Sequence, residues 1–118
     1  MDLQLAARPG RRCTVVCVAG ELDRDTRDQL QDFLQDVVDG GARQVVLDFA
    51  QVTFMDSSGL GLLVATVKLL RAKGGRLCVA AMQEPVRNVL VLSAVDRVLG
   101  VYDTVAAAEQ DMPPAAAR

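Results

Sequence analysis

The chain has 118 residues, 51% of them hydrophobic and 24% charged, with a formal net charge of −2, the composition expected of one soluble domain. It contains no histidine, which removes the Ser-His-Asp triad, the imidazole general base and His-ligated zinc. Its only aromatic residues are Phe33, Phe49, Phe54 and Tyr102, too few for a base-stacking platform, and the negative charge opposes binding to phosphate backbones or anionic lipid.

The first residues, MDLQLAARPGRRC, have no apolar h-region, and no apolar run approaches the ~20 residues of a membrane span. Neither a nucleic acid nor a membrane is therefore expected as a partner. Cys13, Cys17 and Cys78 are odd in number, form no C-x-x-C pair and sit in apolar runs. They read as core residues of a reduced, cytoplasmic protein, with no metal site or disulfide.

In chain order, LQLAA (3–7) alternates weakly and ends at Pro9-Gly10, which predicts an edge strand closed by a turn. TVVCVAG (14–20), RQVVLDF (43–49) and RLCVAAM (76–82) are continuous apolar runs, as in strands buried on both faces. Between the first two, residues 25–39 place Leu30, Phe33, Leu34, Val37 and Val38 at helical spacing, with Gly40-Gly41 as the stop. A second helix is expected over 58–72, apolar around most of its circumference, with Lys68, Arg71 and Lys73 before the Gly74-Gly75 stop. A third starts at Pro85 and turns Val86, Val89, Leu90 and Ser93 inward. A strand near 97–102 and a short helix capped by Asp103 or Thr104 follow. This alternation predicts a single α/β domain over 1–110, with a mixed, mostly parallel sheet flanked by helices, and a flexible tail over 111–118.

Two segments are not explained by packing, and both follow strands. Gly20-Glu21-Leu22-Asp23 ends the run 14–20, and Phe54-Met55-Asp56-Ser57-Ser58-Gly59-Leu60-Gly61 opens the most apolar helix. Sites on open α/β sheets gather at the carboxyl ends of parallel strands, so these two loops should form one surface. Ser57 or Ser58 could be the N-cap, with Asp56 as a favourable charge at the helix start. Gly59 and Gly61 weaken a helix, which points to something approaching its backbone closely. No Lys-Ser/Thr follows for a phosphate-cradling loop, no Gly-x-Ser-x-Gly elbow is present, and no base exists to activate Ser57. Asp23, Asp48 and Asp56 leave one enzymatic alternative, a small Mg²⁺-dependent phosphotransferase resembling a receiver domain. Against it, no basic phosphate cradle accompanies these acids, and no lysine lies beyond Lys73.

Taken together, Gly20-Glu21-Leu22-Asp23, Met55-Asp56-Ser57-Ser58-Gly59-Leu60-Gly61 and Pro85-Val86-Arg87 resemble the STAS domain of anti-sigma factor antagonists, from about Leu3 to Glu109. The resemblance implies a binding module without cofactor or catalytic residues. Its partner would be an anti-sigma factor that is also a serine kinase; binding releases a sigma factor, and phosphorylation with ATP turns the antagonist off. A metal-dependent serine phosphatase would turn it on again. Carried over by position, Ser57 is the phosphorylated residue, and Asp23, Asp56, Ser58 and Gly59 form the partner-binding surface. The residues by themselves do not separate Ser57 from Ser58. A STAS scaffold or transporter-accessory subunit is the alternative role within the same fold.

Overall fold

The computed structural model describes residues 2–113. Each run of β-branched residues forms a strand and each helically spaced segment packs beside it. The elements are β1 (Gln4–Gly10), β2 (Cys13–Leu22), α1 (Arg27–Asp39), β3 (Gln44–Met55), α2 (Ser57–Ala72), β4 (Arg76–Ala80), α3 (Glu84–Leu92), a 3₁₀ turn (Val95–Arg97), β5 (Gly100–Tyr102) and α4 (Val105–Gln110). The five strands form one sheet in chain order, with β1 antiparallel to β2 and the other neighbours parallel. The α/β architecture and the mostly parallel sheet are as expected.

A sheet whose strands follow chain order, with crossovers of one hand, collects its connecting helices on one face. The main core is consistent with that: Leu30, Leu34 and Val38 of α1, Leu62, Leu63, Val67 and Leu70 of α2, and Val86 and Leu90 of α3 meet Val16, Val18, Leu47, Phe49 and Val79 of the sheet. A smaller cluster of Val15, Val46, Cys78, Ala80, Ala108 and Met112 lies under α4 on the other face. Cys78 is buried and Cys13 and Cys17 are half-buried, all three as free thiols. Burial pushes the Cys78 thiol up, and the neighbouring Arg76 only partly offsets it. Among the described residues, no helix is long and apolar enough to cross a membrane.

Several boundaries differ from the sequence reading. The hairpin turns at Arg11-Arg12, with Arg12 at φ 63°, and Pro9 stays in β1 opposite Thr14. An edge strand tolerates that proline because its outer side needs no donor. β3 continues six residues past Phe49, because β2 also continues and the two pair out to Glu21↔Phe54 and Leu22↔Met55. Ser93 does not face inward: it is the exposed C-cap of α3, and its hydroxyl donates to Val89 O at 2.7 Å. The last strand shortens to three residues behind the 3₁₀ turn, and Thr104 rather than Asp103 caps α4, accepting from Ala107 N at 3.0 Å. Within the segment expected as a tail, Met112 is 2% exposed and closes the smaller core; residues 114–118 lie outside the described residues.

The α2–β4 corner rests on Gly75. Arg76 N donates to Arg43 O at 2.9 Å, and a Cβ at Gly75 would overlap that same backbone carbonyl. Backbone on both sides leaves no flexible atom to yield. Gly75→Ala should lower stability in chemical denaturation by about 3 kcal/mol, the upper end of the usual overpacking cost.

Candidate functional site

The site is built by the parallel pair β2–β3. Two register shifts interrupt their pairing near the carboxyl end, between Cys17 and Ala19 and between Gly20 and Glu21. Gly20 sits at φ +123°, a conformation that L side chains rarely adopt. Such irregularities re-aim a strand end. Beyond them Leu22 O accepts from Asp56 N at 3.2 Å, which holds the start of α2 against the end of β2.

Asp56, not either serine, is the N-cap of α2. Its φ and ψ are −113° and −169°, and its Oδ1 accepts from Ser58 N at 2.9 Å and Gly59 N at 3.4 Å. A carboxylate does this better than a hydroxyl because its negative charge also meets the positive end of the helix. Both serine hydroxyls are thereby released from capping. Ser57, the first residue of the helix, is exposed; Ser58 is half-buried.

Asp23 closes the turn before α1. Its Oδ1 accepts from Asp25 N at 2.9 Å and Thr26 N at 3.1 Å, while its N–H donates to Thr26 Oγ1 at 3.0 Å. Thr26, 4% exposed, donates its hydroxyl proton to Glu21 O at 2.7 Å. This reciprocal arrangement works as a capping box does. Thr26 was missed by sequence reasoning, although a Thr three residues after an Asp is a readable form of that pattern.

These two turns share one cleft of about 330 Å³, lined by Asp23, Arg24, Asp25, Asp56, Ser57 and Ser58. Among the described residues, Arg24 is the only cation that lines the cleft. Phe54, 47% exposed and paired with Glu21 just before these turns, is a large apolar side chain to which the sequence reading gave no role of its own.

The two glycines have different explanations. Gly59 is buried, and a Cβ there would lie 2.6 Å from Met55 Cγ and 2.9 Å from Leu22 Cγ. What approaches its backbone is this chain's own core, so Gly59 seats the helix and offers no contact surface. A Cβ at Gly61 would meet only open space.

Asp48 does not join the cleft. It lies within β3 between Cys17 and Ala80, accepting from Ala50 N at 3.1 Å through Oδ1 and from the Cys17 thiol at 3.9 Å through Oδ2. The Asp23–Asp48–Asp56 constellation of the phosphotransferase alternative is therefore not assembled. Among the described residues, no cluster of three or more metal-ligating His, Cys, Asp or Glu side chains occurs.

A mostly parallel sheet with its helices gathered chiefly on one face, and an Asp-capped helix start beside the end of β2, define a small α/β domain. The STAS domain family matches residues 4–108, and the chain belongs to that family. The anti-sigma F factor antagonist of Paenibacillus polymyxa is 32% identical over 104 residues, covering 87% of this chain and 89% of that protein. An anti-sigma factor antagonist from Mycobacterium paratuberculosis superimposes with a TM-score of 0.84 at 28% identity, over 92% of each chain. The anti-sigma factor antagonist SpoIIAA, in its unphosphorylated form, superimposes at 0.74 and 27% identity, over 92% of this chain and 94% of that one. The phosphorylated form of Bacillus SpoIIAA has the same fold, with a TM-score of 0.68 at 24% identity, over 93% and 99% of the two chains.

The cap and the glycines make separable predictions. Asp56→Ala should cost about 0.5–2 kcal/mol in denaturation experiments through loss of the cap. Gly59→Ala should destabilise by about 1–3 kcal/mol by forcing Leu22 and Met55 apart. Gly61→Ala should stabilise by up to about 1 kcal/mol, since the helix gains propensity and nothing clashes.

Proposed function

We propose that this chain is an anti-sigma factor antagonist whose partner is an anti-sigma factor with serine kinase activity, and that phosphorylation of Ser57 by that partner switches it off. The observation that carries the proposal is the position of Ser57: exposed, first in α2, and in one cleft with Asp23 and Asp56. The names of the relatives support the antagonist role, and SpoIIAA is known in both phosphorylated and unphosphorylated forms. The chain itself is a substrate and a binder. The chain has no histidine, and Asp23 and Asp56 each commit a carboxylate oxygen to a helix start, so we assign the chemistry to the partner's active site. A metal-dependent serine phosphatase reverses it, in the cytoplasm.

Partner binding uses the rim around that hydroxyl: Asp23, Asp56 and Ser58, with Phe54 as the apolar anchor. Gly61, one turn along α2 from Ser57, leaves the helix backbone accessible beside the hydroxyl. A phosphate on Ser57 adds about −1.5 to −2 charges. The helix N-terminus favours it by about 0.3–1 kcal/mol, and Arg24 favours it too, while Asp23, Asp25 and Asp56 oppose it. These local effects largely cancel, so the fold survives modification. The interface does not, because charge and bulk enter a contact made for a neutral hydroxyl, at a cost of several kcal/mol and orders of magnitude in affinity.

Incubation with the cognate anti-sigma kinase and ATP should add about 80 Da, one phosphate, to the wild type and to Ser58→Ala but not to Ser57→Ala, read by intact mass. Loss only in Ser58→Ala overturns the assignment, and no addition to any form overturns the switch. The phosphorylated chain should melt within about ten degrees of the unmodified one; a larger fall would replace the interface account with local unfolding. Phe54→Ala should weaken the complex by about tenfold or more in a titration while leaving the melting temperature unchanged.

A further inference from the structure

Among the described residues, three carboxylates and one cation line the Ser57 cleft, and they are not equally committed. Asp23 Oδ1 accepts from Asp25 N and Thr26 N, and Asp56 Oδ1 accepts from Ser58 N and Gly59 N. Arg24 is the opposite case. It is exposed, and among the described residues its guanidinium makes no hydrogen bond and no ion pair, the pairs being Arg27–Asp28 and Arg87–Asp103. Its backbone lies in a turn that is held: Asp25 N and Thr26 N are bound to Asp23, and the Thr26 hydroxyl donates to Glu21 O at 2.7 Å. A free cationic side chain therefore stands on a fixed base beside Ser57.

An anion at a helix start ordinarily takes the backbone N–H donors of the first turn. In α2 those donors are spent. Ser58 N and Gly59 N belong to the Asp56 carboxylate at 2.9 and 3.4 Å, and Leu60 N is bonded to Asp56 O at 3.2 Å. A phosphate on Ser57 would have to displace a carboxylate, at the cost of the helix cap, to reach them. The cationic donor left in the cleft is the Arg24 guanidinium, whose planar fork matches two phosphate oxygens.

We propose that Arg24 is the phosphate-binding residue of the switched-off form: its guanidinium closes over a phosphate on Ser57 and pairs with it, while Asp56 keeps the cap. This rests on the reading of Ser57 as the modified residue and adds where the phosphate goes. The off state is then a dianion docked in the cleft by this chain's own cation, and not a freely hydrated one. The charged groups around the cleft set the sign of its signature. Asp23, Asp25 and Asp56 push the second phosphate pKa up from its ordinary value of about 6, and a paired Arg24 pulls it down. Just outside, Arg27 and Asp28 pair with each other at 3.2 Å and largely offset one another.

The test uses the chain with phosphoserine incorporated at position 57 during translation, which needs no kinase. A phosphorus NMR titration at physiological salt reads the second pKa of that phosphate. Arg24→Gln should raise it by about 0.5 or more, roughly a threefold change in proton affinity. Arg27→Gln, which removes the same charge from just outside the cleft, should move it by less than about half as much. In the wild type the Arg24 Nε–H signal should shift on phosphorylation and titrate with the phosphate. Without phosphate, Arg24→Gln should melt with the wild type; with it, the variant should melt below the phosphorylated wild type. Equal pKa values in the wild type and Arg24→Gln overturn the proposal, and so does an equal effect of Arg27→Gln, which would make Arg24 one charge among several. It is also overturned if the amides of Ser58 and Gly59 titrate with the phosphate while Arg24 Nε–H does not, since the phosphate would then have displaced the Asp56 cap. Failure of the kinase to modify Ser57 would instead overturn the reading of the switch, and it leaves these measurements as they are.

Discussion

The molecule depends on the parallel contact that carries β2 and β3 side by side to Leu22 and Met55. The hydrogen bond from Asp56 N to Leu22 O fixes the end of that contact, and Gly59 lets α2 settle onto the two side chains behind it. Were β3 to end at Phe49, the turns carrying Asp23 and Ser57 would emerge at different heights and share no cleft. The cleft is therefore a consequence of strand length and pairing register before it is a consequence of any one side chain.

Two acids of the cleft also serve the fold. Asp23 and Asp56 each commit one carboxylate oxygen to a helix start, and Thr26 ties the first turn back to Glu21. This double use makes the site rigid: the backbone donors that would otherwise need water are satisfied by the same groups that give the surface its negative character. It leaves Ser57 as a hydroxyl with no capping duty. A modification placed there meets a preformed, capped helix end, and its consequences pass to whatever surface is pressed against it.

Much of this was legible in the residues. The helical spacing of Leu30, Leu34 and Val38 and the run Val15–Val18 declared their elements because burial on one face imposes a period. The cleft itself followed from a general rule about the carboxyl ends of parallel strands, applied to Glu21–Asp23 and Asp56–Ser58. What failed were readings that depend on a neighbour. The strand expected over 43–49 continues through Ala50–Met55, because that stretch pairs with a lengthened β2. Ser93, placed inward by spacing, fell at the helix end where the C-cap turns it out. Met112 looked like tail until α4 laid it over the second face of the sheet.

The sequence by itself determined the class of domain, the absence of any histidine-based chemistry, and the pair of segments that meet in one cleft, since composition and periodicity are properties of single residues and their near neighbours. Only the tertiary structure decided that Asp56 rather than a serine caps α2, that Gly59 answers to the chain's own core, and that Asp48 stays apart from Asp23 and Asp56. Those outcomes turn on contacts between residues far apart in the chain, such as Leu22 with Asp56 and Cys17 with Asp48. Such contacts are set by strand register and helix packing, which no local pattern encodes.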